Sequence, residues 1–231
     1  MTLGYENILT WMLFLIGFIV VMYAQSKING SYRKYKNIRS TKGKTGVEVA
    51  RAILDANGLQ DIYVVETKGE LTDHYDPSRK VLKLSHTIFH ENSIASIAVA
   101  AHECGHAIQD KVGYTFMKIR SAIVPIVNFI TYVGYFVSIV SLFFGMIGYL
   151  KVGIVIILAT LIFQLVTLPV EFDASKRAEE QLLKLGLIEK PEKEKVHEML
   201  SSAALTYVAS FISTILNLLR LLIMLGNNRD E

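Results

Sequence analysis

The stretch AVAAHECGHAIQD, residues 98–110, sets His102 and His106 four residues apart, with Glu103 directly after the first. On an α-helix at about 100° per residue, His106 falls near 40° from His102, Glu103 near 100° and Cys104 near 200°. The two imidazoles therefore share a face one turn apart, close enough to hold one tetrahedral zinc ion. Glu103 flanks that face, where a carboxylate can take a proton from a water polarised by the ion. Cys104 points away and reads as small core filler. Gly105 and Ala101 keep the neighbourhood slim enough for a second segment to approach. The plain alternative is a pair of hydrogen-bonded core histidines. Against it, three ionisable groups crowd an otherwise apolar stretch, where unpaired burial is costly.

A hydrolytic zinc site takes three protein ligands and leaves a fourth position to water. Candidates for the third ligand are Glu171, His74, His86, His90, Asp73 and Asp76. Glu171 ranks first because it stands directly after an uncharged run, in LPVEFDASKRAEE, and begins a stretch of mixed charge. Its alternative role is that of a first-turn carboxylate favoured by the helix dipole.

The elements that must position these groups include membrane segments. Of the 231 residues, 52% are hydrophobic, and the mean hydropathy is +0.37, which is too apolar for an ordinary soluble domain. Four uncharged runs could cross a bilayer: 8–24, 121–150, 152–170 and 199–219. In the first, Trp11 and Tyr23 can act as interfacial anchors. A cleaved signal peptide is disfavoured there, because the positive charge follows the run and no small-residue cleavage pattern closes it. GYLKVG, residues 148–153, is expected to turn the chain between the second and third runs. Arg220 follows the last run, so that helix either spans with Arg220 snorkelling to the interface or ends early.

Charge sets the expected orientation. Lys27, Arg33, Lys34, Lys36, Arg39, Lys42 and Lys44 form a basic run with no acidic residue between them. By the positive-inside tendency, residues 25–118 and 171–198 are cytoplasmic. His106 and Glu171 then return to the same face. Net charge of +3, without a nucleic-acid-binding motif, argues for a solvated or lipid-facing tether and against a nucleic-acid partner. The single cysteine excludes an internal disulfide framework and suits a reducing compartment.

Within 45–118, TGVEVARAILDANGL opens with Thr45 and Glu48 at capping-box spacing and meets Gly58 where a helix should stop. IYVVET (62–67) and KVLKLS (80–85) read as strands of a small sheet with a turn at YDPSR. Asn92 or Ser93 could cap the HExxH helix, with Gly113 beyond its end. The expected fold is a mainly α-helical multi-pass membrane protein of about four transmembrane helices with a small α+β cytoplasmic domain. Its parts are an anchor (1–26), an α+β region (27–118), a helical hairpin (119–170), a cytoplasmic helix (171–198) and a final membrane helix with tail (199–231).

AAHECGHAIQ, LTDHYDPSRKVLKLS and LVTLPVEFDASKRA, in this order among the apolar runs, resemble the YugP-type family of bacterial membrane zinc metallopeptidases over nearly the whole chain. More distantly the sequence is similar to HtpX-type and CAAX-prenyl membrane proteases. The resemblance implies a gluzincin-like site with one Zn2+ per chain, held by His102, His106 and Glu171, with Glu103 as catalytic base. In the distant relatives an aspartate four residues after the ligand glutamate supports a zinc-bound histidine, and Ser175 stands in that position here. Asp173, two residues after Glu171, is expected to face roughly 200° away on a regular helix. Arg177, His197 and Tyr207 are candidate oxyanion donors. By the same resemblance, the strand region with Asp73 and His74 would offer an edge to an extended peptide; hairpin-turn polarity is the alternative for those two.

The resulting expectation is a zinc endopeptidase in the cell membrane, its active site facing the cytoplasm, acting on membrane or membrane-proximal proteins. A noncatalytic zinc-stabilised membrane scaffold is the alternative, disfavoured because a structural site has no need of a base. Metal transport ranks lower, since the apolar runs lack the ionisable residues that ion pathways use.

Overall fold

The computed structural model describes residues 2–143 and 149–227. In chain order these form helix α1 (Thr2–Lys36), α2 (Gly46–Ala56), strands β1 (Tyr63–Thr67), β2 (His74–Asp76) and β3 (Val81–Ser85), and helix α3 (His86–His90). Helices α4 (Ile94–Lys111), α5 (Thr115–Phe143) and α6 (Tyr149–Lys184) follow, then a 3-10 turn (Lys190–Glu192) and α7 (Lys193–Asn227). The protein is mostly helical, and among the described residues four helical stretches are long and apolar enough to cross a membrane: Asn7–Lys36, Thr115–Val137, Leu150–Lys184 and Lys190–Gly226.

The chain divides into two compact units. One takes the described residues of Met1–Gln25, Ile119–Leu168 and Thr206–Glu231. Its large apolar side chains face outward, Phe129 at 68% and Phe136 at 67% exposure among them, as lipid-facing residues do. Small residues let its helices approach: a Cβ on Gly17 would come within 3.0 Å of Ser213 Oγ, and one on Gly134 within 2.5 Å of the Ile156 side chain. Arg220 neither ends α7 nor stands alone. Its guanidinium lies 5.5 Å from the Trp11 ring centroid and 5.1 Å from that of Phe14, so aromatic faces stabilise the cation.

The turn expected at 148–153 is not found where it was placed, since residues 149–153 already belong to α6 and Gly148 lies outside the described residues. The lone charge of Lys151 does not interrupt a helix. Gly153 serves close packing, its would-be Cβ 3.2 Å from Leu221 Cδ1. At about 1.5 Å per residue, α6 with its 36 residues runs to about 54 Å. A hydrocarbon core of about 30 Å cannot contain it all, and its charged C-terminal third, from Glu171 on, is the part left over.

The second unit takes Ser26–Lys118 and Pro169–Leu205. Helix α2 begins as its sequence dictates: Thr45 accepts from Glu48 N, and the Glu48 carboxylate accepts from Thr45 N at 2.7 Å. These bonds hold the Glu48 carboxyl below its usual range. The helix stops at Gly58, whose φ of +66° a side chain would strain. Ser93 caps α4 by accepting from Ser96 N at 3.1 Å, and Gly113 follows the helix end at φ +65°.

The sheet has the order β1-β3-β2. β3 runs parallel to β1, with Val65 opposite Lys83, and antiparallel to β2, with Tyr75 opposite Leu82. The expected turn at YDPSR is thus shorter than its motif, because Tyr75 and Asp76 are already strand. Asp76 Oδ1 accepts from Ser78 N and Arg79 N and tightens what remains. The core beneath gathers Val49, Ile53 and Leu54 of α2, Leu82 and Leu84 of β3, Ile88 of α3, Ile94 and Ile97 of α4, and Leu182 of α6, all fully buried.

Candidate metal centre

Two helices of the second unit build the site. Packing against α4 requires Gly105, since a Cβ there would come within 2.5 Å of the Ala174 carbonyl oxygen on α6. Ala101, Ala174 and Ala178, all fully buried, keep the same seam narrow. That approach brings Glu171 to the His102–His106 face. Glu171 Oε2 lies 3.3 Å from His102 Nε2 and 3.6 Å from His106 Nε2, and one ligand atom from each residue lies within 4.8 Å of the others. Glu171 and His106 are buried, and the His102 side chain is 16% exposed.

These separations test the site for zinc. Two ligand atoms about 2.0–2.1 Å from one tetrahedral ion are about 3.3 Å apart, and the observed spacings match that better than a direct hydrogen bond. The second nitrogens of both rings are engaged. Gln109 donates through Nε2 to the Val170 carbonyl and to Asp173 Oδ2, both at 2.8 Å. Its Oε1 must then accept, so His106 Nδ1, 3.0 Å away, is the donor. This fixes the tautomer and leaves Nε2 with a lone pair toward Glu171. Ser175 Oγ lies 3.2 Å from His102 Nδ1 and orients that ring likewise. Two imidazole Nε2 atoms and a carboxylate facing one point constitute a donor set that zinc fits. The field agrees. Burial alone would depress the basicity of His106, yet the adjoining Glu171 carboxylate outweighs it and holds the imidazole above its usual value, so the pocket favours positive charge.

Glu103 is buried beside this group, and its Oε2 accepts from the backbone N–H of Tyr75 on β2 at 3.0 Å. Tyr75 in turn donates its hydroxyl to Asp110 Oδ2 at 3.0 Å, fastening β2 to α4 at Glu103 and at Asp110. Because β2 is a sheet edge, its outer side is the one that meets Glu103.

The other candidates sit elsewhere. Asp73 accepts from Ser85 N at 2.7 Å and from Ser85 Oγ, which ties the start of β2 to the end of β3; burial pushes its carboxyl up from the usual range. His74 is exposed, 2.8 Å from the Thr72 carbonyl oxygen through Nδ1, and Asp76 serves its turn. His86 and His90 gather on Glu66. Arg177 pairs with Asp173, His197 with Glu179 at 2.7 Å, and Tyr207 belongs to the apolar unit. Burial pushes the Cys104 thiol up, in keeping with core filler.

The sequence family described as "Putative neutral zinc metallopeptidase" matches residues 10–226. The chain belongs to this family. Among curated proteins, "Putative membrane protease YugP" of Bacillus subtilis (strain 168) is 42% identical over 209 residues, covering 90% of this chain and 93% of that one. No solved structure matches. For a member of a zinc metallopeptidase family, the possible ligand group is His102, His106 and Glu171.

Near this group the sequence reading set Asp173 aside and missed Gln109. Asp173, expected to face away, instead accepts from Gln109 on α4, the same helix that Glu171 reaches, and through Gln109 it supports His106. Gln109, three residues after His106 and fully buried, carried a readable signal: a long polar side chain buried among alanines must be hydrogen-bonded.

Proposed function

We propose that this protein is a membrane-embedded zinc endopeptidase with a gluzincin-like catalytic domain. The observation that carries the reading is the convergence of His102 Nε2 and His106 Nε2 on the Glu171 carboxylate, with the Glu103 carboxylate held alongside by Tyr75 N–H. His102, His106 and Glu171 would hold the ion. Zinc, when bound, acidifies a water and polarises a peptide carbonyl.

The residues do the remaining work. Tyr75 N–H occupies Oε2 of Glu103 and leaves Oε1 as the oxygen that accepts a proton from the attacking water. The water oxygen bonds to the carbonyl carbon, the C–N bond breaks, and Glu103 passes the proton to the departing nitrogen. An extended peptide laid along the outer edge of β2 would run past Glu103 and pair through its backbone, which suits broad sequence tolerance. Within the unit that holds the centre, Arg177, once released from Asp173, and His197 are the candidates for an oxyanion donor.

Glu171 directly follows an apolar run, and the basic residues 27–44 favour the cytoplasmic side. The substrates are accordingly membrane proteins or their flexible cytosolic segments. In this reading residues 27–118 and 171–198 make the catalytic region, and 1–26, 119–170 and 199–231 the membrane part. The test compares wild type with Glu103→Gln, both purified in detergent, for bound zinc and for hydrolysis of an unfolded protein. Equal zinc with activity lowered by about 10²–10⁴-fold in the variant is expected; equal activity in both would remove Glu103 as the base.

A further inference from the structure

The chain carries a second group of metal-binding side chains that the hydrolytic reading does not use. Glu66 on β1 accepts from two histidines four residues apart on α3: its Oε1 lies 2.7 Å from His86 Nδ1 and its Oε2 2.9 Å from His90 Nε2. The two rings are 4.8 Å apart, and one ligand atom from each of the three residues lies within 4.8 Å of the others. Unlike the buried group, this one is open to solvent, with His86 at 75%, His90 at 51% and Glu66 at 43% side-chain exposure.

We propose that Glu66, His86 and His90 form a second divalent-metal site, which takes a borderline transition ion such as Zn2+, Co2+ or Ni2+ and clamps strand β1 to helix α3. Two imidazole nitrogens and one carboxylate oxygen select such ions over Mg2+ or Ca2+, which want oxygen ligands. With three protein ligands, solvent completes the coordination.

The present spacings are those of hydrogen bonds. Ligands of one tetrahedral ion are about 3.3 Å apart, so each pair must open by roughly half an ångström. The three side chains are between 43% and 75% exposed, and the ring contacts of His90 with Phe89 and His86 are the packing that must adjust. The backbones beneath are held. Ile88, between the two histidines, is fully buried, Glu91 N donates to Thr87 O, and β1 pairs with β3 along its length. The segment from α3 into α4 is fastened by backbone bonds from Gly46 N to Glu91 O, Ser40 N to Asn92 O and Ile94 N to Ile38 O. An ion on this clamp therefore stabilises the run of chain that enters the helix bearing His102 and His106, and it does so only when metal is plentiful, as a linked ligand must.

The test uses untagged full-length protein in detergent, stripped with a chelator and titrated with Co2+ by calorimetry and metal analysis. Wild type is expected to take two ions per chain, one tightly and one weakly. Glu66→Gln and His90→Asn should each keep the tight ion and lose the weak phase, and His106→Ala should keep the weak phase. A wild type that saturates at one ion overturns the proposal whatever the variants do, as does a weak phase that survives in both Glu66→Gln and His90→Asn.

Discussion

His102, His106 and Glu171 are the same three groups, with the same spacing of histidines, as His86, His90 and Glu66, placed in opposite surroundings. In the buried group the carboxylate stands 3.3 and 3.6 Å from the two nitrogens; in the exposed group it closes to 2.7 and 2.9 Å. A His-x-x-x-His pair with a carboxylate thus occurs twice in the described residues, in two settings. What differs is the shell behind the ligands. Gln109, itself held by Asp173, and Ser175 engage the outer nitrogens of the buried rings, and the Glu103 carboxylate is held by Tyr75 N–H. The exposed rings share the single Glu66 carboxylate as their hydrogen-bond partner.

The largest effects should come from breaking the convergence of α4 and α6. Glu171→Ala is expected to abolish tight zinc retention, while Asp76→Ala, in a surface turn, retains it; metal analysis after dialysis decides, and the reverse pattern would reassign the third ligand. Gly105→Ala tests the same contact without touching a ligand. Its new methyl would press to 2.5 Å on a backbone oxygen of α6, which cannot swing aside as a flexible side chain would, so the seam must part and the tight ion go with it. The weak Co2+ phase assigned to Glu66 and its histidines should persist in both.

A smaller effect is expected behind the ligands. Gln109→Leu keeps volume and helix but removes the acceptor for His106 Nδ1 and leaves Asp173 with Arg177. Zinc affinity should fall by about 10–100-fold, as when partners of metal-bound histidines are removed elsewhere, with the weak phase unchanged. Ser175→Ala should cost less, under about 10-fold, because its partner His102 is partly exposed and water can take the place of the hydroxyl. Competition with a chromophoric chelator measures both, and a larger loss for Ser175→Ala than for Gln109→Leu would invert the ranking of the two supports.

The contrast also separates what could be read in the sequence from what could not. The Thr45–Glu48 capping box, Gly58 and Gly113 as helix stops, and the shared face of His102 and His106 depend on residues within a turn or two of one another, so local spacing suffices. The approach of α6 to Gly105 was legible only as permission, since a small residue says that something can come close and not what does. The exposed triad was harder still. His86 and His90 four apart were visible, but Glu66 reaches them only because β1 pairs in parallel with β3, a contact between segments that local pattern does not specify. The turn placed at 148–153 shows the opposite error: a lone lysine and a glycine looked like punctuation, and the apolar run helped a helix continue through them.

The smallest expected effect concerns how firmly each pair of histidines is held by its own helix. Ser93 caps α4 with its side chain, whereas Ser85, in the equivalent position before α3, makes no capping bond because Asp73 engages its hydroxyl. Ser93→Ala should therefore destabilise the fold by about 1–2 kcal/mol, the range for a lost cap with a buried donor left unpaired. Ser85→Ala cannot act through a cap, so any loss it causes must come through the buried Asp73 carboxylate. That gives the pair different pH signatures. The folded-state pKa of Asp73 is raised by burial and lowered in part by Ser85, so removing the hydroxyl lifts it further above the unfolded value. The cost of Ser85→Ala is then absent below the unfolded carboxyl pKa, where Asp73 is protonated in both states, and grows as pH rises through the folded one. The cost of Ser93→Ala should be flat with pH. Denaturant unfolding of both variants across the acid range measures this, and a pH-independent cost for Ser85→Ala would show that Asp73 does not depend on that hydroxyl.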